Sequence, residues 1–393
     1  MRNIIITGGE LFNKGAQAMT FVTVHELKKR FPDHVIYLLS EMDLARPKEE
    51  RDRYAFGFTG WYPIKFAKAQ KNPLLWLACR VRNGRELAQA ETIYKNCDAM
   101  IDISGYALGS NWSFRNNDRY LNHLEFAKAF KIPVYLMPQS FGPFDFGEEH
   151  PGIDQRCREL LPGCQAILAR EQEGYDALIN TYGLKNVQLA HDLVLNNKGI
   201  DLANIFKTVP QFELPEIAPN SIAVVPNGRN LTVGNNEEVL ALYRAAIRRG
   251  LEQGKIVYLL HHAASDAKIS AQLKEAFSEE ERVILLEQEF SCLEFNELVK
   301  RFDYLMASRF HSIVHAFKNG IPCVTLGWAK KYDDLLDQFG QGDYLFDVRK
   351  GPSSEEITAA MDQLNGCRAD ESEKILSRLA NVQQHNVFDI LTL

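Results

Sequence analysis

Short β-branched runs alternate with longer amphipathic stretches along almost the whole chain, and this alternation constrains the fold more than any other feature. Ile4 to Thr7 reads as a strand, followed by a helix from about Gly15 to Arg30 and the apolar run His34 to Leu39. Further strand candidates are Ala99 to Ser104, Val134 to Pro138, Ala166 to Ala169 and Val187 to Ala190. Helical patterns lie between them, around 73–95, 118–131, 152–161 and 171–182. Such a rhythm predicts a parallel sheet covered on both faces.

A polar stretch from about Asn196 to Asn220, punctuated by Pro210, Pro215 and Pro219, reads as a linker. The alternation then restarts, with strands at Ile222 to Pro226, Ile256 to Leu260, Val283 to Leu286, Tyr304 to Ser308 and Pro322 to Leu326. Helices are expected near 236–252, 265–278, 293–302 and 311–319, and the chain after Ser354 looks mainly helical. A length of 393 residues exceeds what one core usually serves. The prediction is α/β: two Rossmann-like doubly wound parallel-sheet domains, over 1–200 and 215–375, with a helical C-terminal segment. Its last part, 376–393, is expected to pack back on the first domain. In such sheets ligands bind at the carboxyl ends of the strands, so the expected site is a cleft.

Composition narrows the function classes. The apolar share of 46% and charged share of 24% are those of a soluble globular protein. A net charge of −6 argues against a nucleic-acid partner, which would call for a basic surface. No run approaches the roughly 18 apolar residues of a spanning helix, and the N-terminal run is too short for a signal peptide, so a cytoplasmic protein is expected. Seven scattered cysteines without a CxxC pair predict reduced thiols rather than a zinc site or disulfides.

The residues just after each strand are the candidates for chemistry. The first loop, Gly8 to Gln17, lacks GxGxxG and so does not indicate a nicotinamide dinucleotide; its glycines either make a turn, with Asn13 capping the helix, or cradle an anion. Gln139 and Ser140 emerge at the end of another strand. Arg170 follows Ala166 to Ala169, where a cation needs either the neighbouring Glu171 or an anionic ligand. His191-Asp192 is either a proton-handling pair or a strand-end hydrogen bond. The strongest constellation is Ser308-Arg309-Phe310-His311-Ser312, a guanidinium suited to carboxylate or phosphate and an imidazole suited to proton transfer where a strand passes into a helix. His315 stands one turn after His311, but the glutamate of HExxH is missing, so no metal is expected. Lys330 follows the next strand, and Asn227 follows the first strand of the second domain. Arg170, Arg309, Lys330 and helix N-termini together describe a place for a small, multiply anionic ligand.

These residues resemble the polysaccharide pyruvyl transferase family. The resemblance rests on Asn13-x-Gly15-Ala16-Gln17, Pro138-Gln139-Ser140-x-Gly142-Pro143, Arg170-Glu171, His191-Asp192, Arg309-x-His311 and Gly320-x-Pro322 with Lys330 behind it. Where that family often carries paired glycines, this chain reads Ser104-Gly105-Tyr106. The resemblance implies a fold similar to GT-B glycosyltransferases, phosphoenolpyruvate as donor substrate with no cofactor, and a hexose acceptor that becomes a cyclic pyruvate ketal in capsule, exopolysaccharide or cell-wall glycan. On that basis Arg170, Arg309, Ser312, Lys330 and Asn227 would face the donor. Asn13, Gln17, Gln139, Ser140 and His191 would face the acceptor, with His311 and Asp192 handling protons.

Two rivals remain at this level: a GT-B glycosyltransferase or epimerase using a nucleotide diphosphate sugar, and a non-catalytic paralogue. Separately, Trp61 to Arg85 holds six basic residues (65, 68, 71, 80, 82, 85), no acidic ones, and Pro73-Leu74-Leu75-Trp76-Leu77 in its midst. It reads either as a core helix with a basic face or as a peripheral contact with an anionic membrane, which would suit an undecaprenyl-diphosphate-linked acceptor.

Overall fold

The apolar runs assemble into two parallel sheets, one in each of two units. The computed structural model describes residues 2–60 and 72–393. The first unit comprises Met1–Phe12, Met19–Pro210 and His385–Leu393; the second comprises Asn13–Ala18 and Gln211–Gln384.

In the first unit the strands are β1 (Arg2–Thr7), β2 (His34–Leu39), β3 (Gly57–Thr59), β4 (Cys97–Asp102), β5 (Tyr106–Leu108), β6 (Val134–Phe141), β7 (Ala166–Ala169) and β8 (Val187–Leu189). They lie in the order β3-β2-β1-β4-β6-β7-β8, with β5 beside β6, and every pairing is parallel. Among the described residues the helices of eight residues or more are α1 (Lys14–Arg30), α2 (Pro73–Lys95), α3 (Phe114–Phe130), α4 (Ile153–Leu160) and α5 (Gln172–Tyr182). Helices on both faces explain why β6 is buried along its whole length and why its sequence runs apolar rather than alternating.

The second unit repeats the plan. Its strands are β9 (Ser221–Val225), β10 (Ile256–Leu259), β11 (Val283–Leu285), β12 (Leu305–Ala307), β13 (Cys323–Gly327) and β14 (Leu345–Asp347), in the parallel order β11-β10-β9-β12-β13-β14. Its longer helices are α6 (Asn236–Glu252), α7 (Ala267–Glu275), α8 (Cys292–Val299), α9 (Phe310–Lys318), α10 (Lys330–Phe339) and α11 (Ser354–Val382). Capping boxes start α8 at Ser291/Glu294 and α11 at Ser353/Glu356.

Residues 376–382 continue α11 within the second unit, and it is 385–393 that belong to the first. There the Asn196 amide donates to the His385 carbonyl and accepts from the Val387 N–H, and the Tyr135 hydroxyl donates to the Thr392 carbonyl. Strand order reverses between β1 and β4, and again between β9 and β12, which leaves a crevice at the carboxyl end of each sheet.

Candidate functional site

At the switch point of the second unit, three buried groups hold the end of β12. The Tyr243 hydroxyl donates to Ser308 Oγ at 2.7 Å, while Asn227 Nδ2 and the Tyr332 hydroxyl each donate to the Ser308 carbonyl at 3.0 Å. Arg309 follows as the N-cap of α9, and Ser312 Oγ donates to its carbonyl at 2.6 Å. Asn227 and Ser312, which the family resemblance sets against the donor, are thus buried struts that fix the backbone of Arg309.

The Arg309 fork meets Asp266 through Nε–Oδ2 and Nη2–Oδ1, both 2.7 Å, and Nη2 also reaches Ser265 Oγ at 3.2 Å. Asp266 is fully buried and also accepts the Gly228 N–H at 3.0 Å; the Arg309 side chain keeps 26% of its surface exposed. One buried carboxylate therefore orients the guanidinium without enclosing it.

His311 occupies the first turn of α9, half-buried. The start of α1 presses on it: a Cβ on Gly15 would stand 2.4 Å from His311 Nδ1, so only glycine lets the backbone approach so closely. Asn13 Oδ1 accepts the Gly15 N–H at 2.9 Å and caps α1, and Gln17 Oε1 accepts the Cys292 N–H at 2.7 Å. Asn13, Gly15 and Gln17 thus place this turn against His311 and α8. The turn also delivers Lys14, whose buried ammonium donates to the His262 carbonyl at 3.0 Å. Burial lowers the Lys14 pKa, partly offset by Glu289 and Asp266. Burial also pushes His262 well below the usual imidazole range, helped by the electrostatic influence of His315, Lys14, His311 and Arg309.

Lys14, His262 and Asp266 were not among the residues the sequence suggested. His261-His262 directly follow β10, the same position after a strand that singled out Arg309, and that signal was available. Asp266 ends a short 3-10 helix and Lys14 opens α1, where only the fold reveals the contact. Lys330 begins α10 with an exposed ammonium 3.8 Å from Asp334. His315 Nδ1 lies 3.2 Å from Asn296 Oδ1, and the described residues contain no group suited to hold a metal ion.

In the first unit Arg170 is enclosed. Its Nε donates to Glu171 at 2.8 Å, Nη1 to Asp192 at 3.1 Å and Nη2 to Ser140 Oγ at 2.7 Å; Ser140 Oγ in turn donates to Glu171 at 2.8 Å. Its side chain is only 7% exposed. Asp192 also caps the short helix Leu193–Asn196 by accepting the Val194 N–H. Glu171 and Asp192 both pair with the Arg170 guanidinium.

Gln139 is buried beside this cluster, donating to Asp102 at 3.0 Å and accepting from the Tyr120 hydroxyl at 3.1 Å. Asp102 also accepts from Thr7 and Ser104, and its burial raises its pKa. His191 is exposed beyond the end of β8. Lys65, Lys68 and Lys71 of the basic stretch lie outside the described residues, as do the side chains of Arg80, Arg82 and Arg85. Helix α2 itself leaves Leu74, Leu77 and Val81 exposed. Among the described residues no helix is long and apolar enough to cross a membrane.

Comparisons with known proteins agree with this architecture. The family model described as polysaccharide pyruvyl transferase matches residues 13–330. No curated protein sequence matches the chain. Among solved structures, Medicago truncatula UGT71G1, complexed with UDP-glucose, is 12% identical, with 99% of this chain and 96% of that one covered at a TM-score of 0.57. The UDP-GlcNAc 2-epimerase of Methanocaldococcus jannaschii is 13% identical over 97% and 100% of the two chains, at a TM-score of 0.56. S. aureus MnaA, solved with UDP, is 11% identical over 99% and 94%, at 0.55. At these identities the likeness establishes the fold, that of GT-B glycosyltransferases and epimerases.

Proposed function

The chain belongs to the polysaccharide pyruvyl transferase family, and from that premise we propose that it moves pyruvate from phosphoenolpyruvate to two hydroxyls of one hexose. The carrying observation is the partly exposed Arg309 fork at the N-terminus of α9, with His311 in the first turn of that helix and Lys14 on the His262 carbonyl. Phosphoenolpyruvate carries a carboxylate and a phosphate on three carbons, and a fixed guanidinium at a helix N-terminus is the natural partner of such a dianion. We assign the donor clamp to Arg309 with Lys330, and Asp192 and Glu171 to holding Arg170.

In this reading His311 protonates the methylene carbon of the enol, which becomes a methyl group and leaves positive charge on the neighbouring carbon, shared with its oxygen. One sugar hydroxyl adds there and loses its proton. The C–O bond to phosphate then breaks, and a second hydroxyl adds and loses its proton. One of the two protons returns to His311 and the other leaves with phosphate, so the products are a cyclic ketal and inorganic phosphate. The acceptor is a hexose unit of a polysaccharide or of its lipid-linked, undecaprenyl-diphosphate-borne precursor. A peripheral contact with an anionic bilayer suits the second form. It is supported by Leu74, exposed at 80%, Leu77 and Val81, exposed at 82%, at i, i+3 and i+7 on α2 in a stretch without acidic residues. Cosedimentation with phosphatidylserine vesicles, weakened by Leu74→Ser with Val81→Ser, is the expected result; unchanged binding removes the contact.

Phosphate release from phosphoenolpyruvate on addition of a polysaccharide acceptor tests the reaction. His311→Ala is expected to lower turnover by about 10²–10⁴-fold, the usual weight of a positioned acid. Wild-type turnover in that variant contradicts the assignment.

A further inference from the structure

At the carboxyl end of the first sheet, where strand order reverses between β1 and β4, lies a groove of about 800 Å³. Its floor is the loop after β1, where a Cβ on Gly8 would stand 2.1 Å from Ser104 Oγ, so the loops after β1 and β4 touch. One wall is aromatic. The Tyr106 and Trp112 rings are 5.3 Å apart at 58°, Tyr106 is tied by its hydroxyl to the Gly142 carbonyl at 2.9 Å, and the His150 ring meets the Trp112 carbonyl at 2.7 Å. Polar groups lining the same groove come from the loop after β1 (Glu10) and the first turns of α3 (Asn116 and Arg119).

Glu10 is the informative residue. It is half-buried, yet its carboxylate has no hydrogen bond or ion pair among the described residues. Neighbouring Asp43 has its needs met by the Leu11 N–H, the Ser40 hydroxyl and Arg46. Burial, followed by the charge of Asp43, raises the Glu10 pKa. A carboxylate kept partly dry without a partner costs free energy unless a ligand supplies the donor.

We infer that this groove binds a hexopyranoside, with one pyranose face against Trp112 and Tyr106 and a ring hydroxyl donating to Glu10. A pyranose presents a face of C–H groups ringed by hydroxyls, and a fixed aromatic wall with a few convergent polar groups is its complement. The inference deepens the proposed function and rests on it for the identity of the sugar as acceptor. It also relocates the acceptor contacts, because Gln139 and Ser140 are spent on Asp102, Tyr120, Arg170 and Glu171.

The test is binding of methyl glycosides of glucose, galactose, mannose and their 2-acetamido forms to the full chain, without donor, followed by tryptophan fluorescence and thermal stability. At least one glycoside is expected to saturate. Glu10→Gln, nearly isosteric, is expected to weaken it about tenfold or more, the weight of a hydrogen bond to a charged group. Trp112→Ala should abolish it, and Arg119→Ala, at an exposed position, serves if the aromatic variant fails to fold. Saturation by none of the glycosides, or equal affinity in Glu10→Gln and Arg119→Ala, overturns the inference. The phosphoenolpyruvate response measured on the same variants separates the two readings: its absence alongside an intact, Glu10-dependent glycoside response overturns the donor assignment and leaves the groove assigned.

Discussion

Arg170 and Arg309 look alike in sequence, each a lone guanidinium soon after an apolar strand of a parallel sheet, yet the fold gives them opposite fates. Arg170 is surrounded by Glu171, Asp192 and Ser140 and is almost fully buried. Arg309 has one carboxylate partner, Asp266, and an open side, with Lys14 and His311 nearby. Two carboxylates around one guanidinium leave local negative charge that repels an anion; one carboxylate against one guanidinium leaves no such excess. The number of carboxylates converging on each arginine, rather than the arginine itself, sets the two apart.

Breaking each cluster should therefore register in a different observable. Arg170→Met strands Glu171 and Asp192 in a buried site and is expected to cost about 3–5 kcal/mol of stability, read as a lower urea midpoint. Arg309→Lys keeps the charge but loses the two-point fork on Asp266. It is expected to reduce kcat/KM by about 10²-fold, with a midpoint close to wild type. A reversal of these outcomes breaks the comparison. Gly15→Ala sharpens it from the other side. Helix propensity favours alanine by roughly 0.5–1 kcal/mol, but the added carbon must displace the His311 ring. Turnover should fall by about tenfold or more while phosphoenolpyruvate affinity changes less.

The smallest effect is on pH dependence. His262 is buried with its pKa pushed well below the usual value, so near pH 6 the unfolded chain binds a proton there and the folded one does not. Stability from this group is present above about pH 6.5 and falls as the pH drops below it, by up to about 1.4 kcal/mol per pH unit. His262→Gln should flatten that slope between pH 7 and 5 in urea titrations, and an unchanged slope contradicts the assignment. His123, likewise buried and depressed, adds slope of the same sign, as do His25 and His261, which burial also lowers.

Much of the fold was legible because a doubly wound sheet repeats one simple pattern: long apolar strands such as Val134–Phe141 and helices such as Asn236–Glu252 stand out by period alone. The edge strands Gly57–Thr59 and Leu345–Asp347 did not, since each is short and broken by a glycine or an aspartate rather than uniformly apolar like the equally short Leu305–Ala307. Lys330–Phe339 carries a helical signal of its own, because Tyr332, Leu335, Leu336 and Phe339 recur at helical spacing and are buried. At the site, Arg309 and His311 could be named from position, because both sit where a strand becomes a helix. Lys14 and Asp266 could not, since their contacts join segments about 250 and 43 residues apart. Glu10 lay within a loop the sequence marked, but only the groove gives it a role.

The most direct measurement is the thermal stability of the purified protein with phosphoenolpyruvate and with UDP-glucose, in wild type and Arg309→Ala. A ligand that binds only the folded state adds about 2.7 kcal/mol at 100 times its dissociation constant. The account predicts a shift with phosphoenolpyruvate that is lost in Arg309→Ala, and none with UDP-glucose. A shift with UDP-glucose and none with phosphoenolpyruvate would contradict it and leave His311 without a reaction to serve.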